Sequence, residues 1–173
     1  MSKNSIMRFL LLFVNLSFSY AQKSDTQDKN QYTFAELEIK DARINDLDYT
    51  EEFTNNKNKL FFYKIIATNQ IYFSNHFEVL DSQSYGRIYN VVREHLNETD
   101  DSYEKDIYKF KWSYANTYDD VKGTADIILS LEYKQNGIYF ELIMNQDNLD
   151  VNKYKGEFKG SVSFFEYLQD KTK

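Results

Sequence analysis

The chain predicts an all-β domain, an antiparallel up-and-down barrel of eight strands. Three observations point there. The sequence holds 15 Tyr and 14 Phe with no Pro and five Gly, and aromatic side chains favour the pleated, half-buried surface of a strand. Several segments alternate apolar and polar residues with the period of two that one buried face requires. These segments count to about eight, and eight antiparallel strands in ~130 residues close naturally into a barrel, which removes exposed sheet edges. A β-sandwich is the nearest alternative, followed by an antiparallel sheet covered by one helix near residues 85–96.

The first 21 residues stand apart from this pattern. Lys3 and Arg8 precede the apolar run Phe9-Leu10-Leu11-Leu12-Phe13-Val14, and Ser19-Tyr20-Ala21 places small residues before a cut. That is the three-part pattern of a secretory signal peptide. The apolar run is far shorter than the ~20 residues a bilayer-spanning helix needs. No later stretch approaches that length, so the cleaved chain is expected to carry no transmembrane segment and to be exported, either periplasmic or secreted. Removing 21 residues from 173 leaves 152, which is one domain by size. Residues 22–31 are polar and aperiodic and read as a flexible leader. Residues 32–168 form the single β domain, and 169–173 a C-terminal tail.

Along the domain, Thr33 to Lys40 reads as the first strand, with Ala35, Leu37 and Ile39 on one side, although Phe34, Leu37 and Ile44 also fit a short helix. Leu60–Ala67 and Ile71–Asn75 form a hairpin about Thr68-Asn69-Gln70. Tyr85, Ile88, Val92 and Leu96 recur at helical spacing behind a Ser82 or Ser84 cap, yet the β-branched and aromatic content of Tyr85–Val92 favours a strand. The acidic stretch Asn97–Asp106 reads as a loop. Tyr108, Phe110, Trp112 and Tyr114 then alternate strictly with Lys109, Lys111 and Ser113. Asn136-Gly137 is a preferred type I′ hairpin pair. It sets Tyr133 opposite Phe140, Leu131 opposite Leu142 and Leu129 opposite Met144, and it brings Glu132 near Glu141. Tyr154, Phe158, Val162 and Phe164 alternate in the last strand, with Gly156 and Gly160 marking a bend or a close backbone approach.

Ser82-Gln83-Ser84-Tyr85-Gly86, Trp112-Ser113-Tyr114, Asn116-Thr117-Tyr118-Asp119, Lys122-Gly123-Thr124-Ala125, Asn148-Leu149-Asp150 and Tyr154-Lys155-Gly156 together resemble small exported bacterial proteins of lipocalin-like, calycin-type build. The resemblance covers roughly Thr33 to Phe165 and implies a barrel. True lipocalins carry Gly-x-Trp near the first strand, whereas the single Trp here is in mid-chain. No ligand and no catalytic residue is therefore carried over.

Composition excludes several classes of function. Without Cys there are no disulfides, thiolate metal sites, cysteine nucleophiles or cysteine-linked lipids. Residues 1–21 hold two of the 21 basic residues and none of the 27 acidic ones, so the cleaved chain carries a net charge of −8. Such a surface repels phosphate backbones, and nucleic acid is not an expected partner. Glycines occur singly, which excludes a phosphate-cradling loop. His76 and His95 form no metal or acid–base motif and read as surface or edge residues. No Gly-x-Ser-x-Gly is present. The Asx-rich stretches Asp119-Asp120 and Asp147–Asn152 fit turns better than a calcium loop. The expected protein is not an enzyme, and it needs no cofactor and no metal.

The one constellation with functional character is the aromatic face Tyr108, Phe110, Trp112 and Tyr114, which in a barrel lines either a ligand cavity or a packed core. The leading expectation is an exported binding protein that holds a small apolar or glycan ligand. The alternative is a cell-envelope scaffold with a packed core and exposed rings such as Tyr118, Tyr139 and Tyr167, which contacts a protein partner.

Overall fold

The computed structural model describes residues 30–160 together with Glu166 and Leu168. The signal peptide, most of the leader, Val162, Phe164, Tyr167 and the C-terminal tail lie outside the described residues. The elements run β1 (Gln31–Ile44), β2 (Leu47–Asp48), α1 (Thr50–Asn55), β3 (Asn58–Ile65), β4 (Gln70–Phe77), β5 (Ser82–Leu96), β6 (Lys105–Asn116), β7 (Lys122–Lys134), β8 (Gly137–Gln146) and β9 (Val151–Gly160). Apart from the two-residue β2, the strands follow one another in chain order, and β9 pairs antiparallel with β1. The result is a closed, up-and-down, lipocalin-like barrel of eight strands.

Alternation places the core inside. On β6, Asp106, Tyr108, Phe110 and Trp112 are buried, and the residues between them are exposed or half-buried. Leu129, Leu131, Leu142 and Met144 continue the same inner layer on β7 and β8. Phe34, Leu37, Leu60, Phe62 and Phe73 complete it from the first half of the chain. Gly156 is a close backbone approach: a Cβ there would lie 1.9 Å from the Glu38 carbonyl oxygen. It sits opposite Ile39, next to the bulge between Ile39 and Asp41 in β1.

Residues 85–96 are strand. Ile88 is buried while Tyr85, Val92 and Leu96 are exposed, so their helical spacing marks no common face. A bulge between Tyr89 and Val92, with Asn90 at φ 56°, interrupts the alternation that would have identified the strand. The helix lies elsewhere, at α1. Glu51 and Glu52 occupy its first turn, and the Thr50 N–H donates to Asp48 Oδ1 at 2.9 Å. Six residues are too few to show a helical period.

The β7–β8 hairpin forms, but in a register two residues from the expected one. Lys134 faces Gly137, Tyr133 faces Ile138, Leu131 faces Phe140, Leu129 faces Leu142 and Ile127 faces Met144. A two-residue slip keeps every side chain on its own face, so alternation does not separate the two registers. The observed one forms four apolar pairs instead of three. The turn residues are Gln135 and Asn136, and the positive φ falls on Gly137, at 152°. The expected Glu132–Glu141 pair does not form. Glu132 faces Tyr139 and binds Lys134 Nζ at 2.7 Å, while Glu141 faces Ser130 and binds Lys155 Nζ at 3.1 Å. A two-residue turn with both φ positive occurs instead at Asn45 (50°) and Asp46 (66°), between β1 and β2.

Candidate ligand-binding interior of the barrel

The four sequence-predicted residues lie together on the inner face of β6. Tyr108, Phe110 and Trp112 are each no more than 4% exposed, and Tyr114 is half-buried. Trp112 stacks on Tyr114 with centroids 4.5 Å apart, meets Phe73 edge-on at 5.1 Å and donates its Nε1–H to the Phe73 carbonyl at 3.1 Å. Phe110 packs edge-on against Phe62 at 5.9 Å. The middle of the barrel is thus an aromatic layer.

The two ends differ from this layer and from each other. At one end, the last inward positions of β5, β6 and β7 converge on Asp106, which is 2% exposed. Its Oδ1 accepts from Arg93 Nε at 2.8 Å and from His95 Nδ1 at 2.9 Å. Its Oδ2 accepts from Arg93 Nη2 at 2.9 Å, Tyr133 OH at 2.7 Å and Tyr108 OH at 3.2 Å. Burial alone would push this carboxyl up, but the hydrogen bonds from His95, Tyr133 and Arg93 together hold it below its ordinary value. Burial raises the Tyr108 and Tyr133 phenols, and the Asp106 charge raises them further, so both stay protonated donors.

This cluster was missed by the sequence reading, which placed Asp106 in a loop; His95 is exposed, as a surface or edge residue should be, but its contact with Asp106 was not foreseen. Asp106 is instead the first inward residue of β6, two positions before Tyr108. An acid on the apolar side of a period-two strand was the available signal. His95 keeps its Nε2 toward the Glu104 carboxylate, 3.7 Å away.

The other end is capped by α1. Phe53 from the helix packs on Phe77 at 4.9 Å and on Tyr154 at 5.5 Å. Tyr114 OH donates to Gln146 Oε1 at 3.3 Å, and Asn116 Nδ2 donates to Ser84 Oγ at 2.9 Å. Among the described residues, three atoms at this end are buried without a well-formed hydrogen bond: Asn58 Oδ1, Asn152 Oδ1 and Tyr154 OH. Asn58 opens β3, and Asn152 and Tyr154 sit at the start of β9, so all three belong to the α1 end. Burial pushes the Tyr154 phenol up, so it also stays protonated. A groove of about 470 Å³ runs beside α1 between β1 and β3, with Leu37, Phe53, Asn58 and Leu60 in its lining.

The Asx-rich loops are turns, as expected. Asp119 Oδ1 accepts from the Val121 N–H at 3.1 Å, and Asn148 Oδ1 accepts from the Asp150 N–H at 3.0 Å. Comparison of the chain with models of protein families, with curated proteins and with solved structures finds no match in any of the three.

Proposed function

We propose that this chain is an exported, non-catalytic barrel that holds a small apolar or glycan ligand at the α1 end of its interior. One observation carries the reading: among the described residues, Asn58 Oδ1, Asn152 Oδ1 and Tyr154 OH are buried beside an aromatic layer without a well-formed hydrogen bond, the Asn152 side chain and the Tyr154 phenol having at most each other. Leaving such a group bare costs about 1–3 kcal/mol. A ligand that offers donors to the two amide oxygens and an acceptor to the phenol removes that cost. A mainly apolar wall with a few placed polar atoms is also the usual make-up of a small-molecule site. The groove beside α1 reaches one of the three residues, Asn58, past a rim of lysines and glutamates.

The Asp106 end supports the non-catalytic half of the reading. His95 is oriented by a buried carboxylate, as an acid–base histidine would be. Its ring hydrogen-bonds, however, to Arg93 and Asp106, and among the described residues no serine or threonine hydroxyl bonds to it. A ligand-binding barrel has no need of a nucleophile there.

The test compares native with denaturing mass spectra of the chain purified from its own host. The expected result is a reproducible excess mass that is lost on denaturation, together with Trp112 emission that shifts when the released compound is added back. An unchanged mass, with Trp112 emission indifferent to lipids and glycans, overturns the proposal.

A further inference from the structure

The connections at the α1 end carry a second feature, independent of the interior. Each of them exposes a large apolar side chain at its tip. Leu47 follows the β1–β2 turn, Val79 and Leu80 lie between β4 and β5, Tyr118 lies between β6 and β7, and Leu149 lies between β8 and β9. Tyr118 is 80% exposed and Leu149 87% exposed. Leu149 also holds φ at 75°, in the left-handed region that a leucine occupies only when its surroundings force it.

The tips are tied to one another. Asn45 at the β1–β2 turn donates to Asp150 Oδ1 at 2.9 Å and accepts from the Val151 N–H at 2.9 Å, which joins it to the β8–β9 loop. Asp147 of that loop accepts from the Thr124 N–H at 2.9 Å beside the β6–β7 loop. Thr117 of the β6–β7 loop exchanges bonds with the Gln83 backbone, donating its N–H at 2.8 Å and accepting at Oγ1 at 3.0 Å. The Val79 N–H donates to the Asn56 carbonyl, which links the β4–β5 loop to the end of α1. The loops therefore form one braced ring rather than four separate flaps. A surface held in place this way loses little conformational freedom on binding.

The ring carries an excess of acidic side chains, although Asp46 is paired with Lys153 at 2.6 Å and Glu78 with Lys59 at 2.8 Å and Lys57 at 3.7 Å. Asp46 and Asp48 flank Leu47, Glu78 and Asp81 flank Val79 and Leu80, Asp119 and Asp120 follow Tyr118, and Asp147 and Asp150 bracket Leu149. Exposed apolar side chains interleaved with charged ones have the make-up of a protein-binding surface. The sign of the excess charge selects the partner and repels an anionic lipid surface. The geometry points to a docking surface for a basic protein segment that presents an apolar stripe between lysines or arginines.

The test measures binding of the full chain to a synthetic amphipathic peptide of leucines and lysines, to its counterpart with every lysine replaced by glutamate, and to zwitterionic and anionic vesicles. The lysine peptide is expected to bind, with affinity that falls as salt rises, and the glutamate peptide is expected not to bind. The double variant Tyr118→Ser/Leu149→Ser should weaken binding about tenfold while its thermal midpoint stays within a degree or two of the parent, because both side chains are solvent-exposed. Equal binding of both peptides, no binding of either, an unaffected double variant, or partition onto vesicles in place of peptide binding each overturns the inference.

Discussion

The two ends of the barrel handle buried polarity in opposite ways. At the Asp106 end, one carboxylate with almost no exposure accepts five hydrogen-bond contacts from Arg93, His95, Tyr108 and Tyr133. At the α1 end, two amide oxygens and a phenol are also hidden and make no well-formed hydrogen bond among the described residues. Both ends close the same eight strands, so the difference does not come from the architecture. A saturated buried network fixes one structure, whereas unsatisfied polar atoms leave free energy available to whatever satisfies them. One end holds the barrel together, and the other is the end at which the proposed ligand would sit.

Substitutions can break this contrast. The largest effect is expected from Asp106→Ala, which leaves the Arg93 guanidinium and two phenols facing a gap and should cost about 3 kcal/mol or more in urea unfolding. If the loss is below 1 kcal/mol, the cluster is not the lock described here. The same carboxylate sets a sign for pH. Its pKa in the folded chain lies below the ordinary value, so its contribution to stability is complete above about pH 4 and is lost as pH falls through the lowered pKa. Acid unfolding of the parent should therefore be steeper below pH 4 than that of Asp106→Asn.

A matched pair of smaller changes sharpens the comparison. Tyr133→Phe removes a 2.7 Å bond to a charged acceptor and should cost about 1.5–3 kcal/mol. Tyr154→Phe removes a hydroxyl that makes no well-formed hydrogen bond among the described residues. It should be neutral or stabilising by up to about 1 kcal/mol while weakening retention of any co-purifying compound. Parallel denaturant titrations of the two variants decide the matter. Equal losses would erase the distinction between the ends.

How much of this was legible in the sequence followed from where the physical signal is local. Period-two patterning revealed β6 and the alternation of β7 and β8, because burial on one face imposes it on every strand of a barrel. It did not settle the β7–β8 register, since a slip of two residues leaves Leu129, Leu131, Leu142 and Met144 facing inward. The bulge at Asn90 hid β5 behind an apparent helical spacing, and α1 was too short to show any period. The four aromatic candidates were found because they share one strand. The Asp106 cluster was not, because its members come from three strands and meet only after β5, β6 and β7 pair. The three unsatisfied atoms were still less visible, since lacking a well-formed hydrogen bond is a property of the packed chain and not of any residue type.

The pairing of β9 with β1 also bears on the order in which the chain can fold. The first strand to be made shares its edge with the last, from Ala35 opposite Gly160 to Ile44 opposite Asn152. Every other barrel neighbour is adjacent in the chain, so hairpins such as β7–β8 can form early and locally. The closing seam must wait for well over a hundred residues to be complete, and it carries the loop-closure entropy of the whole domain. A chain delivered from its N-terminus keeps an open β1 edge until its final strand arrives. On the export proposed above, that delay would keep the chain unfolded while it is threaded across a membrane, with closure awaiting the last strand.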